Sequence, residues 1–359
     1  MFQMRFSAII LTIFLALTTL FGPAVAAEPS LPDVEVKNVR RVFHNGEHNA
    51  FTDLCRFRDR LYLAFRSCPD GHGVHPTASI IVLGSDDEGQ SWEPVHRFSV
   101  EKRDTRDPHF LVFNDTLFLY TGTWYCGDGS PEHYELNRHL GYACWTDDGR
   151  TWRGPRMLEG TYGHYVWRAA AHDGKAYLCG RRKHEFAETQ TRAERDPLVE
   201  SAMLVSDDGL VWKQAALFQE TYGDETAFLF EKDGAMLAVA RRGGGGNAEI
   251  CRSKPPYTNW KRKALDRYIG GPLLVRWGDR YLVGGRKTTT GEPRTALYWL
   301  VDDELREIAE LPSGGDNSYP GFVALGPARG LVSWYSSHET GTDGKPITAI
   351  YLAELEIIE

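Results

Sequence analysis

Ser85-Asp86-Asp87-Glu88-Gly89-Gln90-Ser91-Trp92 returns twice along the chain, as Trp145-Thr146-Asp147-Asp148-Gly149-Arg150-Thr151-Trp152 and as Val205-Ser206-Asp207-Asp208-Gly209-Leu210-Val211-Trp212. Gly89, Gly149 and Gly209 stand 60 residues apart, and so do Trp92, Trp152 and Trp212. A fixed period of this size marks a chain assembled from repeated supersecondary units. Each copy has the chemistry of a hairpin turn: the aspartate caps backbone N–H groups, the glycine takes positive φ, and the tryptophan anchors the following strand. The turns therefore read as structural.

Upstream of each turn lies a second repeat, an apolar strand, a tight turn and another apolar strand, often ending on arginine. The pairs are residues 51–57 with 60–66, 108–113 with 116–123, 167–171 with 175–182, 226–232 with 235–241, 272–277 with 280–286, and 321–325 with 328–335. Six hairpins leave no gap for a second domain, and after the first 26 residues no helix-period stretch of useful length appears. The expected fold is all-β, a six-bladed β-propeller. The last strand, 347–357, is expected to pair with 34–43, closing the ring and removing exposed edges.

The composition agrees, with 42% apolar and 25% charged residues, 36 glycines, 18 prolines, 10 tryptophans and 16 tyrosines. A net charge of −8 argues against a nucleic-acid footprint and favours solubility. Residues 1–26 have the order of a signal peptide: a short charged start, an apolar run at 6–21, and the small-x-small site Ala24-Val25-Ala26. The expectation is a secreted or periplasmic monomer, with residues 27–359 as one propeller domain and no membrane span after cleavage. Six cysteines survive processing, and Cys126 with Cys144 or Cys55 with Cys68 could bridge; buried free thiols are the alternative. The scattered histidines lack metal-ligand spacing, and the glycine run 243–246 lacks the Lys-Ser/Thr of a phosphate loop. No metal and no organic cofactor is implied.

In a propeller blade the first strand leaves one mouth of the central channel and the second returns to it. The residues opening first strands are Asp53, Arg106-Asp107, Trp167-Arg168, Asp224-Glu225, Gly270-Gly271 and Ser318-Tyr319. Those ending second strands are Arg66, Arg181, Arg182, Arg241, Arg242, Arg286 and Tyr335. So much charge at one mouth points to an anionic ligand, held by bidentate arginine forks, with acids placed for proton transfer. Inter-blade salt bridges are the competing explanation for any single member. Trp124, Tyr125, His164, Tyr165 and Trp167 could add a sugar-stacking platform.

On these residues the chain resembles the sialidase superfamily, in which Asp-box turns (S-x-D-x-G-x-[ST]-W) decorate a six-bladed propeller. The first copy fits that pattern; the second and third lack its leading serine, and the third has Val211 where a hydroxyl residue is expected. Asp224-Glu225-Thr226, Asp233-Gly234 and Arg241 resemble the family segment N-E-x-x…D-G…R. The resemblance implies that Glu225 activates the nucleophile and Arg241 belongs to the triad holding the substrate carboxylate. It also implies that Arg294 is the third arginine and Tyr319 the nucleophile. The first arginine of the triad belongs in an R-I-P motif, but the matching stretch, His48-Asn49-Ala50-Phe51-Thr52-Asp53, contains none; Arg66 is the candidate substitute. The acid/base should lie in the loop after Arg66, where Asp70, His72 and His75 are available, with Asp53 equally placed.

Arg106-Asp107-Pro108 also resembles the R-D-P element of five-bladed glycosidases that use three carboxylates, here Asp53, Asp107 and Glu225. Three functions follow: an exo-glycosidase of sialidase type acting on terminal acidic sugars of glycans, a propeller glycosidase for a uronic or neutral sugar, and a non-catalytic carbohydrate-binding propeller. The Glu225/Tyr319 pair separates the first two from the third.

Overall fold

The computed structural model describes Met1, residues 31–288 and residues 291–358. The expected leader, 1–26, lies outside these residues apart from Met1. Asp33–Glu359 forms one compact unit, and it contains six antiparallel sheets of four strands each. The innermost strands are His48–Phe57, Arg103–Phe113, Tyr165–His172, Gly223–Phe230, Gly270–Trp277 and Asn317–Ala324. Each of these touches the innermost strands of the blades before and after it, so they ring a common axis. The chain is a six-bladed β-propeller.

Burial explains how each blade is written. The second strand of blade one, Arg60–Cys68, is buried at every position because neighbouring blades cover both faces. The outermost strand of blade two, Arg153–Met157, is exposed at every position and carries two arginines. Apolar residues therefore concentrate toward the axis and charges toward the rim. The ring closes as expected: the outermost strand of blade six is Asp33–Phe43, which pairs with Pro346–Ile358 in a register running from Asp33 opposite Ile358 to Phe43 opposite Ile350.

The three repeated turns are built as their chemistry demands. In the first, Gly89 N–H donates to Ser85 Oγ at 2.8 Å and Ser91 N–H to Asp87 Oδ1 at 2.9 Å. The other two copies do have the hydroxyl that the sequence alignment denied them. Gly149 N–H reaches Thr146 Oγ1 at 2.9 Å and Gly209 N–H reaches Ser206 Oγ at 2.8 Å, because these turns are one residue shorter. Val211 costs nothing there, since its own N–H makes the bond to Asp208 Oδ1 at 2.8 Å. The turns also fasten blades together: Tyr62 Oη donates to Gly149 O at 2.9 Å and Tyr120 Oη to Gly209 O at 3.0 Å, each from the preceding blade.

All six cysteines are free thiols. In the hairpin of blade one, Cys55 faces Tyr62 and Cys68 faces His48, several rungs apart, so that pair cannot bridge. No helix among the described residues is long and apolar enough to cross a membrane.

Candidate active site

All six innermost strands share one irregularity. Near its start each carries one extra residue relative to its partner, between Ala50 and Asp53, Arg106 and Pro108, Val166 and Ala169, Gly223 and Thr226, Gly270 and Leu273, and Ser318 and Gly321. A bulge re-aims the side chains around it. Phe51, Asp107, Gly271 and Tyr319 sit in these bulges at φ of 62°, 52°, 61° and 51°. For a bulky residue such as tyrosine this is strained backbone, held only because the surroundings over-determine it. The bulges release carbonyls from the ladder, and side chains satisfy them: Thr52 Oγ1 donates to Tyr319 O at 2.8 Å and Thr121 Oγ1 to Arg106 O at 2.7 Å.

The re-aimed residues line a cavity of about 240 Å³ at one mouth, with Phe51, Asp107, Glu225 and Tyr319 facing Arg106, Arg181, Arg241 and Arg286, and His72, Trp124 and Tyr165 completing the wall. Tyr319 Oη donates to Glu225 Oε1 at 2.6 Å. Arg241 Nη1 donates to Glu225 Oε2 at 2.9 Å and lies 3.4 Å from Tyr319 Oη. The backbone N–H of Gly271 also reaches Glu225 Oε2, at 3.2 Å. Burial pushes the Tyr319 phenol well above its ordinary value and the charge of Glu225 adds to this, while Arg241 and Arg286 oppose it. The phenol is therefore neutral at rest, with a base already in contact.

Two further groups define the electrostatics. Asp107 accepts a hydrogen bond from Tyr165, its other oxygen is buried without a partner among the described residues, and burial followed by repulsion from Glu225 raises its carboxyl to about 6. Arg286 is the least neutralised of the four arginines. Its guanidinium donates to neutral oxygens, Asn317 O at 2.9 Å and Tyr335 Oη at 3.2 Å, and its nearest carboxylate, Asp316, is 3.7 Å away. Arg181, by contrast, is ion-paired with Asp224. Two neighbouring cavities share Arg181, Arg241 and Arg286 with the mouth and extend it past Arg192, Arg195 and Arg242.

Of the residues expected at the site, Tyr319, Glu225, Arg241, Arg106 and Asp107 line the cavity. Three do not. Asp53 lies beneath the mouth with both oxygens engaged, accepting from Arg168 Nη1 at 2.8 Å and from Phe110 N–H at 2.9 Å. Arg168 simultaneously donates to Pro272 O at 3.1 Å and Pro320 O at 2.7 Å, so it spans the channel from blade three to blades one, five and six. Asp53 is one end of that strut and is unavailable as an acid/base. Arg66 is fully buried and doubly bonded to Asp104, at 3.0 and 2.9 Å, and to the carbonyls of Gly71 and Gly73. It ties the loop between the second and third strands of blade one to blade two and does not line the cavity.

Arg294 heads the third strand of blade five, one strand farther from the axis than Arg286, and binds Ser313 O and Glu310. Arg286, named in the sequence among the second-strand ends, lines the cavity, and Arg294 does not. Of the aromatic platform, Trp124 and Tyr165 line the cavity, while Trp167 is buried and Tyr125 lies under Arg103 and Arg138. His72, which the sequence offered only as one of several loop residues, is also in the wall.

No protein-family model matches the chain, and no curated protein matches it in sequence. Solved structures do match. A protein of unknown function from Dyadobacter fermentans superposes with a TM-score of 0.74 at 21% identity, over 91% of this chain and 100% of the other. The phage phi92 endosialidase does so at 0.67 and 10% identity, over 90% of this chain and 69% of the other. Trypanosoma rangeli sialidase in complex with sialic acid gives 0.63 and 12% identity, over 91% of this chain and 59% of that enzyme. At these identities the likeness is one of architecture: the chain has the six-bladed propeller fold of the sialidases.

Proposed function

We propose that the chain is an exo-acting glycoside hydrolase of sialidase type, which removes terminal acidic sugars from glycans through a covalent intermediate on Tyr319. The observation that carries this reading is the 2.6 Å contact between Tyr319 Oη and Glu225 Oε1, with Arg241 bonded to the same carboxylate. Glu225 takes the phenolic proton as the oxygen attacks the anomeric carbon. A neutral nucleophile suits an anionic substrate, because a carboxylate nucleophile would meet the carboxylate of the sugar with like charge. Arg241 and Arg286 hold that substrate carboxylate, and the arginine-lined extension takes the remainder of the glycan. Two displacements at one carbon give net retention.

The three-carboxylate mechanism loses support because Asp53 is saturated by Arg168 and Phe110. A purely binding role gives no reason to hold a tyrosine at φ 51° against a buried glutamate. Export belongs to the same reading and rests on the order of residues 1–26, so the purified secreted protein should begin at Ala27.

The test is hydrolysis of aryl glycosides of sialic acid, uronic acids and neutral sugars by the wild type, Tyr319→Phe and Glu225→Ala. Turnover of an acidic sugar with retained anomeric configuration is expected, falling at least about 100-fold in both variants. Full activity in Tyr319→Phe, or preference for a neutral sugar, would overturn the proposal.

A further inference from the structure

Cleavage of an unactivated glycosidic bond needs a proton for the departing oxygen, and neither Asp53 nor Asp70, which the sequence offered as acid/base, is placed to give it. Asp53 is sealed under Arg168, and Asp70 accepts from Thr77 at 2.6 Å and pairs with His75 at 3.0 Å, away from the cavity wall. Glu225 serves Tyr319. The loop between the second and third strands of blade one offers a different group. Arg66 and Arg106 grip the carbonyls of residues 71–73, and the bend delivers His72 to the rim of the mouth with 55% of its side chain exposed.

There His72 Nδ1 lies 2.6 Å from Asp316 Oδ2. A carboxylate can only accept, so Nδ1 carries the hydrogen, and Nε2 has no protein partner among the described residues. Asp316 is itself fixed: Oδ2 also accepts from His48 Nε2 at 2.9 Å, and Oδ1 accepts from Tyr335 Oη at 2.8 Å. Burial alone would raise the Asp316 carboxyl, but the hydrogen bonds from His48 and His72 outweigh it and keep the group ionised. The ring of Phe51 touches both, its centroid 5.7 Å from that of His72 and 4.9 Å from that of Tyr319, and all three line the same cavity.

Resting on the glycosidase reading above, we propose that His72 is the general acid/base of the reaction and Asp316 its positioning residue. In the first step the Tyr319 oxygen bonds to the anomeric carbon and its proton passes to Glu225. The bond to the aglycone breaks with its electron pair on the aglycone oxygen, which takes the Nε2 proton of the His72 imidazolium. In the second step a water gives one proton back to Nε2, and its hydroxyl bonds to the anomeric carbon. The bond to Tyr319 then breaks with its electron pair on the phenolic oxygen, which recovers its proton from Glu225. The sum is glycoside plus water to free sugar plus alcohol. His48, His72 and Asp316 could also converge on a divalent cation, and a metal bound there would occupy His72 and exclude the proton-transfer role.

The experiment compares leaving groups. His72→Ala should lose about 10²–10⁴-fold in kcat/KM on a sugar-linked substrate and less than about 10-fold on a nitrophenyl glycoside, which departs without a proton. Asp316→Asn should steepen the dependence on leaving-group acidity in the same sense, and Asp70→Asn should leave it at the wild-type slope. Equal loss on both substrate classes in His72→Ala, with wild-type activity otherwise intact, would overturn the acid/base assignment alone. So would a stoichiometric divalent metal in the purified wild type, measured by elemental analysis, that is lost in His48→Gln. A wild type inert on every glycoside would overturn the parent reading and this one with it.

Discussion

Gly271→Ala isolates the link between the bulges and the chemistry. Gly271 holds φ +61°, and a Cβ added there would meet Cγ and Cδ2 of Tyr319 at 2.7 Å. Ordinary carbon contacts begin near ~3.5 Å, so the ring must withdraw by about 0.8 Å. Its 2.6 Å bond to Glu225 then stretches toward ~3.4 Å, past useful hydrogen-bond length. A displacement of about 1 Å at a reacting group costs roughly 100-fold in rate, or about 2.7 kcal/mol of barrier. Stability should fall too, by about 1–2 kcal/mol for the left-handed backbone and about 1–3 kcal/mol for overpacking. Gly278 supplies the control, with φ +63° but nothing nearer to an added Cβ than Pro327 O at 3.9 Å. Gly278→Ala should lose only the backbone contribution and keep the wild-type kcat. The assay is kcat on the best aryl glycoside alongside thermal unfolding of both variants. Wild-type kcat in Gly271→Ala, or equal destabilisation of the two variants, would refute the reasoning.

Two further outcomes follow from buried charge. Arg168→Met should destabilise the fold by about 3–5 kcal/mol, because Asp53 is left ionised and unpaired, and adding Asp53→Asn should recover at least ~1 kcal/mol; strictly additive effects in urea unfolding would dismiss the cross-channel strut. Asp107 has its carboxyl raised to about 6, so the folded state binds a proton more tightly than the unfolded one, and the associated stability is present at low pH and lost as pH rises through about 6. Asp107→Asn removes that loss, so its stability relative to wild type should climb by as much as ~3 kcal/mol between pH 4 and pH 7; a flat difference across that range would contradict the assigned environment.

The strand boundaries show how far pattern reading reaches. Inner strands expected to begin at Pro108, Trp167 and Thr226 begin at Arg103, Tyr165 and Gly223. In each case the expected start lies at the bulge, where the extra residue breaks the alternation of facing and hidden side chains. The period-two signal therefore fails at the positions that line the mouth. Arg286 and Arg294 illustrate a second limit. Both are basic residues at strand ends, and which of them lines the cavity depends on how the strands are set around the axis.

Local chemistry was sufficient for the architecture. Turn residues, six apolar hairpins and complementary terminal strands are short-range signals, and together they dictated a closed six-bladed ring. Position at a strand end placed Tyr319, Glu225 and Arg241 among the mouth residues, and the resemblance to sialidases singled them out. What only the tertiary structure decided was which charges stay there. Asp53 and Arg66 have the same residue types and strand positions as true mouth residues, yet Arg168 reaches across the channel to claim one and Asp104 of the next blade claims the other. Those partners lie 115 and 38 residues away in sequence, and burial makes such pairings obligatory once the ring closes, since an unpaired charge in that interior is too costly to keep.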